Sequence, residues 1–179
     1  MTRYVGLLRG IAPSNPAMRN ANLRRVAEGV GLRDVRTVIS SGNLVFDSDA
    51  EAEEVEARLE AAWPEQLGFA SRSIVRSREE VDRLVAADPF AGLEHGPTSY
   101  LLVTFVQDRA RWAEPPVPAP DGVAYRVVGA AHGTVLSVTD TTVRSADVMT
   151  WLEKAYGTGI SSRTWRTVLR LRDALAQDR

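Results

Sequence analysis

Cysteine is absent from the 179 residues of this chain, and histidine occurs only twice, as His95 and His132. Without cysteine there are no disulfides, no thiolate nucleophile and no cysteine-ligated zinc or iron–sulfur centre. Neither histidine lies in a metal-binding spacing such as HExxH, and serine catalysis would need one of them as its base. The sequence therefore predicts no metal site and no cofactor, and it assigns no catalytic residue.

Long hydrophobic runs are missing as well. No apolar segment approaches the ~20 residues that a membrane-spanning helix needs, and the N-terminal sequence MTRYVGLLRG has too short an apolar stretch for a signal peptide. Hydrophobic residues make up 44% of the chain and charged residues 25%, which is typical of a globular protein. We therefore expect a cytoplasmic protein that does not associate with membranes.

Lysine is almost missing too, because Lys154 is the only one and arginine supplies the other twenty-one of the 22 basic residues. A coding bias toward arginine explains this composition, although a guanidinium group also binds planar anions through two parallel hydrogen bonds. The formal net charge is −1, which gives no bulk attraction to a polyanion. Nucleic acid is therefore not an expected partner.

The N-terminal half shows the order β-α-β-β-α-β that is typical of a ferredoxin-like unit. The predicted elements are a strand at 3–10, a helix at 23–30, strands at 35–40 and 43–46 joined by the turn SSGN, a helix at 52–63 and a strand at 69–77. Two capping boxes, Ser48 with Glu51 and Ser77 with Glu80, predict the starts of the second helix and of a further short helix. Pro64 is expected to end the second helix.

The same pattern restarts in the C-terminal half in a degraded form. A strand is predicted at 99–106, and residues 125–140 repeat the strand–turn–strand rhythm of 35–49. The proline-rich segment 109–122 is expected to reduce the intervening helix to a turn. An amphipathic helix is predicted around 148–156, no strand is predicted after it, and the chain is expected to end in another helix.

These patterns together predict an α+β fold with an internal duplication. Residues 1–90 would form a ferredoxin-like βαββαβ lobe, and residues 91–179 a related, truncated lobe with an added C-terminal helix. We expect a ligand or a partner to bind between the two lobes.

The segment TGISSRTWRTV, residues 158–168, indicates a loop that leads into the last helix, with Ser161 or Ser162 as the N-cap residue. Either choice places Arg163 in the first turn, where the helix dipole disfavours a cation by roughly 0.3–1 kcal/mol. Two explanations stay open. Arg163 forms an anion pocket with the first N–H groups of the helix, or it pairs with a carboxylate of the other lobe as a structural brace.

The anion-binding interpretation selects five residues. Arg9 ends the first predicted strand and is the natural second cation beside Arg163. Ser41 and Asn43 would supply neutral hydrogen-bond donors, although serine and asparagine beside a glycine are also ordinary turn residues. Trp165 would be a stacking platform for the ligand, or it is an apolar anchor in the core or between the lobes.

Three segments together resemble a known bacterial family. They are YVGLLRGI (4–11), LRRVAEGVGLRDVRTVISSGNLVFDSD (23–49) and LEKAYGTGISSRTWRTVLRL (152–171). Their combination is similar to the family catalogued as domain of unknown function 1697, and the similarity covers nearly the whole chain. The resemblance implies a ferredoxin-like N-terminal part, a related C-terminal part and no particular activity. Thr164 stands where the family has asparagine, and the loop GIAPSNP lacks the family's glycine pair and lysine.

We therefore expect a protein that binds an anionic small molecule or a partner between two lobes, without covalent catalysis. Two alternatives stay open. One is an enzyme that acts on a phosphorylated or carboxylated metabolite held by arginines. The other is a structural or protein-interaction module, for which a homo-oligomer paired through an exposed sheet edge would be one form. Fold alone does not choose among these classes.

Overall fold

The computed structural model describes residues 1–140 and 148–177. These residues contain two four-stranded antiparallel sheets and five α-helices, so the fold is α+β as the sequence predicts. None of the described helices combines the length and the apolar character that crossing a membrane would require.

The chain divides by its internal contacts into two compact units. The first contains residues 1–82 together with the C-terminal segment from Arg170, and the second contains residues 83–169. Each unit holds one of the two sheets. The lobes 1–90 and 91–179 stay a prediction about how the chain is organised into domains.

The helices and strands follow one another along the chain with short connections. The elements of the first sheet and its helices are β1 (Thr2–Leu8), α1 (Asn20–Gly29), β2 (Arg33–Thr37), β3 (Asn43–Ser48), α2 (Ala52–Leu67), β4 (Ser73–Ser77) and α3 (Arg78–Ala86). Those that follow are β5 (Ser99–Val106), β6 (Tyr125–Ala131), β7 (Thr134–Asp140), α4 (Val148–Tyr156), β8 (Ile160–Thr164) and α5 (Trp165–Ala176). Two short 3₁₀ helices lie at Pro16–Met18 and Arg109–Ala113.

The two sheets have the same order of strands. The first is ordered β2-β3-β1-β4 and the second β6-β7-β5-β8, with every neighbouring pair antiparallel. The outer strand of each hairpin also carries a register shift, between Arg33 and Arg36 in β2 and between Val127 and Gly129 in β6. An extra residue at such a shift increases the local twist of the strand.

The core of the first unit lies between one face of its sheet and the helices α1 and α2. Alternation along the strands directs Tyr4, Leu44, Phe46 and Val75 to this face, where they meet the apolar stripe of each helix. The helices contribute Leu23, Val26, Ala27, Val55, Leu59, Ala62 and Trp63 to the same cluster. Full burial of a side chain such as Leu59 contributes about 1.5–3 kcal/mol to folding before entropy is counted.

In the second unit, the nine-residue helix α4 packs on the corresponding face. Val106, Val135 and Ile160 of the sheet pack with Leu152 of α4. The position of the first helix is taken by the 3₁₀ helix at Arg109–Ala113. A short turn of helix in this segment is as the sequence predicts, because the prolines that follow it cannot donate backbone hydrogen bonds.

The structure overturns the prediction that no strand follows α4. Residues Ile160–Thr164 form β8, which pairs with β5 from Leu102 to Val106. The sequence ISSRT lacks the apolar alternation of a half-buried strand. Its extended conformation is stabilised instead by the backbone pairing with β5. By contrast, the predicted strand at 99–106 coincides with β5.

Two predictions about the helices α2 and α3 have different outcomes. The capping box of Ser77 with Glu80 is confirmed, because Glu80 accepts the Ser77 N–H at 2.7 Å and Ser77 Oγ accepts the Glu80 N–H at 3.2 Å. The capping box of Ser48 with Glu51 is wrong. Ser48 ends β3 and its Oγ accepts the Ala50 N–H instead, while Glu51 occupies the N-cap position of α2 without a side-chain bond.

The end of α2 also differs from the prediction, because the helix continues through Pro64 to Leu67. It stops where Gly68 adopts the left-handed conformation with φ 74° and donates its N–H to the Pro64 carbonyl. Proline removes one donor from the helix. Here the packing of Trp63, fully buried and hydrogen-bonded through Nε1 to Ser73 Oγ at 2.8 Å, holds the turn around it in place.

Candidate functional site

Arg9 lies at the end of β1, beside the residues that lead into β4. Its N–H donates to the Arg72 carbonyl at 2.9 Å. The Ser71 hydroxyl lies 2.8 Å from the Arg9 carbonyl and 3.1 Å from the Arg72 carbonyl, and it donates its hydrogen to these two oxygens. The antiparallel pairing of β1 with β4 brings the two segments together, because Leu8 lies opposite Ser73. The backbone at Arg9 is therefore fixed on one side by hydrogen bonds.

An open groove of about 540 Å³ begins at these residues. It is lined by Arg9, Gly10, Glu60, Ala70, Ser71 and Arg72. We call it the Arg9–Arg72 groove. Its charged lining residues are two arginines and one glutamate, all within residues 1–82.

Glu60, on α2, is anchored at the wall of this groove. One carboxylate oxygen accepts the Ser73 N–H at 3.0 Å, and the other lies 2.8 Å from Arg72 Nη1. The Arg72 side chain remains 50% exposed, whereas that of Glu60 is 22% exposed. Guanidinium groups bind carboxylates and phosphates through paired, charge-assisted hydrogen bonds. The two arginines of the groove can therefore attract a small anion. The negative charge of Glu60 offsets part of this attraction.

The predicted ligand donors Ser41 and Asn43 lie together in the turn between β2 and β3. The buried Asn43 side chain uses both amide hydrogens there, donating to Ser41 Oγ at 2.9 Å and to the Val38 carbonyl at 3.0 Å. Gly42 adopts φ 74° and accepts the Leu8 N–H at 2.8 Å. These bonds hold the turn against the end of β1. A role of Ser41 and Asn43 in ligand binding stays a prediction.

The structure places Arg163 in β8, opposite Val103 of β5, and not in a helix. Its Nη1 donates to the Ser162 carbonyl at 2.8 Å and to Ser161 Oγ at 3.0 Å. Burial lowers the pKa of Arg163 to about 10, although the side chain as a whole is only half-buried. The guanidinium therefore stays charged near neutral pH.

The last helix begins later than predicted. Thr164 is the residue before α5, and its Oγ1 accepts the Thr167 N–H at 3.3 Å. The predicted N-cap at Ser161 or Ser162 is wrong, because both residues are still paired with β5. The helix dipole argument for a bound anion at Arg163 therefore no longer applies. The role of Arg163 as a ligand contact stays a prediction.

A second arginine, which the sequence analysis missed, has the corresponding place in the first sheet. Arg76 of β4 is 1% exposed, and its Nη1 donates to the Val75 carbonyl at 2.8 Å. Glu56 of α2 lies 3.9 Å from the same nitrogen and accepts the Val75 N–H at 2.8 Å. The sequence already indicates this correspondence. In both SIVRS (73–77) and ISSRT (160–164) the fourth residue is arginine and the fifth is a hydroxyl residue.

Trp165 packs edge-on against Phe90, with the ring centroids 5.4 Å apart and the planes at 66°. The two histidines have different surroundings. His95 stacks on Tyr100, and its Nδ1 accepts the Leu101 N–H at 3.2 Å. His132 is exposed at the turn between β6 and β7. Trp165 is thus held by an aromatic contact, and its predicted role beside a ligand stays a prediction.

These features define an α+β protein of two units with an arginine-lined groove at one end of its first sheet. The chain belongs to the family described as protein of unknown function (DUF1697), whose sequence model matches residues 1–122. The family resemblance found in the sequence is therefore confirmed over residues 1–122, and its extension to residues 152–171 stays a prediction.

A solved structure with a similar fold is that of the conserved bacterial protein SP0830 from Streptococcus pneumoniae. The similarity covers 99% of both chains with a TM-score of 0.71 and 19% sequence identity. A search of curated proteins gives no match to this chain. At this level of identity the likeness shows the fold and carries no activity with it.

Proposed function

We propose that this protein binds a small anionic molecule in the Arg9–Arg72 groove through non-covalent contacts. The observation that carries the proposal is that two arginines, Arg9 and Arg72, line one groove of about 540 Å³. The backbone hydrogen bond from Arg9 to Arg72 supports it, because it limits how far the two side chains can separate. A carboxylate or phosphate that reaches both would form charge-assisted hydrogen bonds with each.

All residues of the proposed site belong to the first unit. The proposal therefore differs from the predicted site, which is a cleft between two lobes. Arg9 is the predicted site residue that it retains, and Arg72 is added. Ser71 shapes the groove through its bonds to backbone oxygens. No covalent step is part of the proposal.

Thermal unfolding in phosphate tests this function. A ligand at one hundred times its Kd stabilises the folded state by about 2.7 kcal/mol, which raises the Tm of a chain of this size by roughly 5–10 °C. We expect sodium phosphate to raise the Tm above that in sodium chloride of equal ionic strength. The variant Arg9→Gln should lose this difference.

Arg58→Gln is the matched control for Arg9→Gln. Arg58 is also an arginine of the first unit and pairs with Glu54 on the exposed surface of α2, but it does not line the groove. Its variant should keep the full response to phosphate. An equal response in the wild type and in Arg9→Gln would remove the groove as the site, and no response in the wild type would remove the function.

We also propose that the two units are ferredoxin-like copies of one duplicated ancestor. The support is the shared strand order, the register shift in both outer hairpin strands, and the matching strands β4 and β8. Expression of residues 1–90 alone tests the N-terminal boundary. A cooperatively folded fragment would support the predicted lobe, and an unfolded one would contradict it.

A further inference from the structure

We infer that the ligand of the Arg9–Arg72 groove is a small zwitterion, with a phosphate or carboxylate at one end and an ammonium group at the other. This inference rests on the proposed function, because it assigns the chemical class of the ligand at the same site. It follows from the groups that line the groove beside the two arginines.

Glu60 is the first of these groups. Its carboxylate is held from two directions, by the Ser73 N–H at 3.0 Å and by Arg72 Nη1 at 2.8 Å. A carboxylate oxygen accepts more than one hydrogen bond. A ligand that carries a donor can therefore hydrogen-bond to this carboxylate, beside its present partners or in place of one of them. A purely anionic ligand would instead meet this negative charge at close range.

Ser71 is the second group. A hydroxyl has one hydrogen, and that of Ser71 is directed to the carbonyl oxygens of Arg9 and Arg72. The Ser71 oxygen therefore presents only lone pairs to any further partner. It can accept a hydrogen bond from an ammonium group, and it has no hydrogen to give to a phosphate.

The groove thus places acceptors next to donors. Arg9 and Arg72 supply guanidinium N–H groups, whereas Glu60 and Ser71 supply oxygen acceptors within the same lining. An ammonium group has three donors and no acceptor, which suits the second set. A ligand that carries both charges satisfies both sets, and a simple anion satisfies only the first.

Two matched probes, 3-aminopropylphosphonate and propylphosphonate, test the inference by calorimetry. They differ only in the terminal ammonium group. We expect the wild type to bind the aminated probe about tenfold more tightly, which corresponds to about 1.4 kcal/mol. Arg9→Gln should weaken binding of both probes, and Arg58→Gln should change neither.

Glu60→Gln should abolish the preference for the aminated probe and strengthen binding of propylphosphonate. Its amide oxygen can still accept the Ser73 N–H, so the fold is expected to survive. A second variant, Arg72→Gln, removes the ion pair between Arg72 and Glu60 and should increase the ratio of the two affinities. This variant decides the matter if Glu60→Gln does not fold.

The possible results separate the inference from the proposed function. Equal binding of the two probes by the wild type, with loss of both in Arg9→Gln, would overturn the zwitterion and leave the anion site standing. A preference that persists in Glu60→Gln, or an unchanged ratio in Arg72→Gln, would also overturn the zwitterion. Failure of both probes and of inorganic phosphate to bind would overturn the proposed function itself.

Discussion

Arg76 and Arg163 occupy corresponding positions in the two sheets. Each is the fourth residue of a five-residue strand, and each places Nη1 2.8 Å from the carbonyl oxygen of the residue before it. In both strands the next residue, Ser77 or Thr164, is a hydroxyl residue that caps the following helix.

This relationship explains how the edge strand β4 is protected. Its outward carbonyl at Val75 is bound by Arg76, while its N–H groups at Ser73 and Val75 are bound by Glu60 and Glu56. Unpaired backbone groups on an edge strand are a template for association with another chain. Side chains of the same unit bind these three groups, which opposes strand addition at this edge.

Removal of Glu56 should therefore destabilise the protein strongly. The Arg76 and Glu56 side chains are 1% and 5% exposed, and loss of one partner of a buried pair costs about 3–5 kcal/mol. We expect Glu56→Ala to lower the free energy of unfolding by that amount. Glu56→Gln should cost less, because its amide oxygen still accepts the Val75 N–H. Urea denaturation measures both.

Glu54→Ala is the control for this prediction. Glu54 pairs with Arg58 on the same helix, but the two side chains are 57% and 42% exposed. Exposed pairs contribute about 0.2–1 kcal/mol. Equal losses from Glu54→Ala and Glu56→Ala would show that burial of the Arg76 pair does not determine its contribution.

Gly133 is expected to tolerate no side chain. It adopts φ 72°, and a Cβ atom there would collide with the indole of Trp112. Trp112 cannot easily move away, since its Nε1 donates to the Val106 carbonyl at 3.0 Å. We expect Gly133→Ala to cost about 2–4 kcal/mol, more than the ~1–2 kcal/mol of left-handed strain alone.

Gly122→Ala separates the two costs, because Gly122 has φ 74° but open space around the position of a Cβ. It should show only the strain. Thermal or urea unfolding of the two variants gives the comparison. A smaller loss for Gly133→Ala than for Gly122→Ala would argue against the contact with Trp112.

His95 should make the stability of the protein depend on pH. Burial, together with the charge of Arg166, lowers the pKa of His95 below its usual value of 6.5. The unfolded chain therefore binds the proton more readily than the folded one. The stability that this histidine contributes is complete above about pH 6.5 and is lost as the pH falls below it.

His95→Asn tests this pH dependence. Its Oδ1 can take the place of Nδ1 as acceptor for Leu101 and does not titrate. Thermal unfolding at about pH 7.5 and pH 5.5 should show a smaller acid loss for the variant than for the wild type. His132→Asn, at an exposed position, should keep the acid loss of the wild type. The same acid loss in His95→Asn would exclude His95 as its cause.

Thr164 is expected to act as the N-cap of α5. Loss of a capping hydroxyl costs about 1 kcal/mol, so Thr164→Ala should destabilise the protein by that amount. Thr164→Ser retains the oxygen that accepts the Thr167 N–H and should be nearly neutral. Equal losses in the two variants, measured by urea denaturation, would mean that the hydroxyl does not cap the helix.

The sequence by itself determined the features that depend on neighbouring residues. Examples are the strand β5, the capping box of Ser77 with Glu80 and the short turn of helix before the prolines. Periodicity, local hydrogen bonds and the missing proline N–H all act within a few residues, so the sequence contains their full cause. The α+β class follows from the order of such elements.

The tertiary structure alone decided the features that join distant residues. Thr104 and Ser162 lie 58 positions apart in sequence, yet their hydroxyls meet at 2.8 Å where β5 pairs with β8. That pairing makes Arg163 a strand residue and moves the helix start to Trp165. The Arg9–Arg72 groove likewise depends on β1 meeting β4. Strand pairing is non-local, and no pattern within one segment specifies its partner.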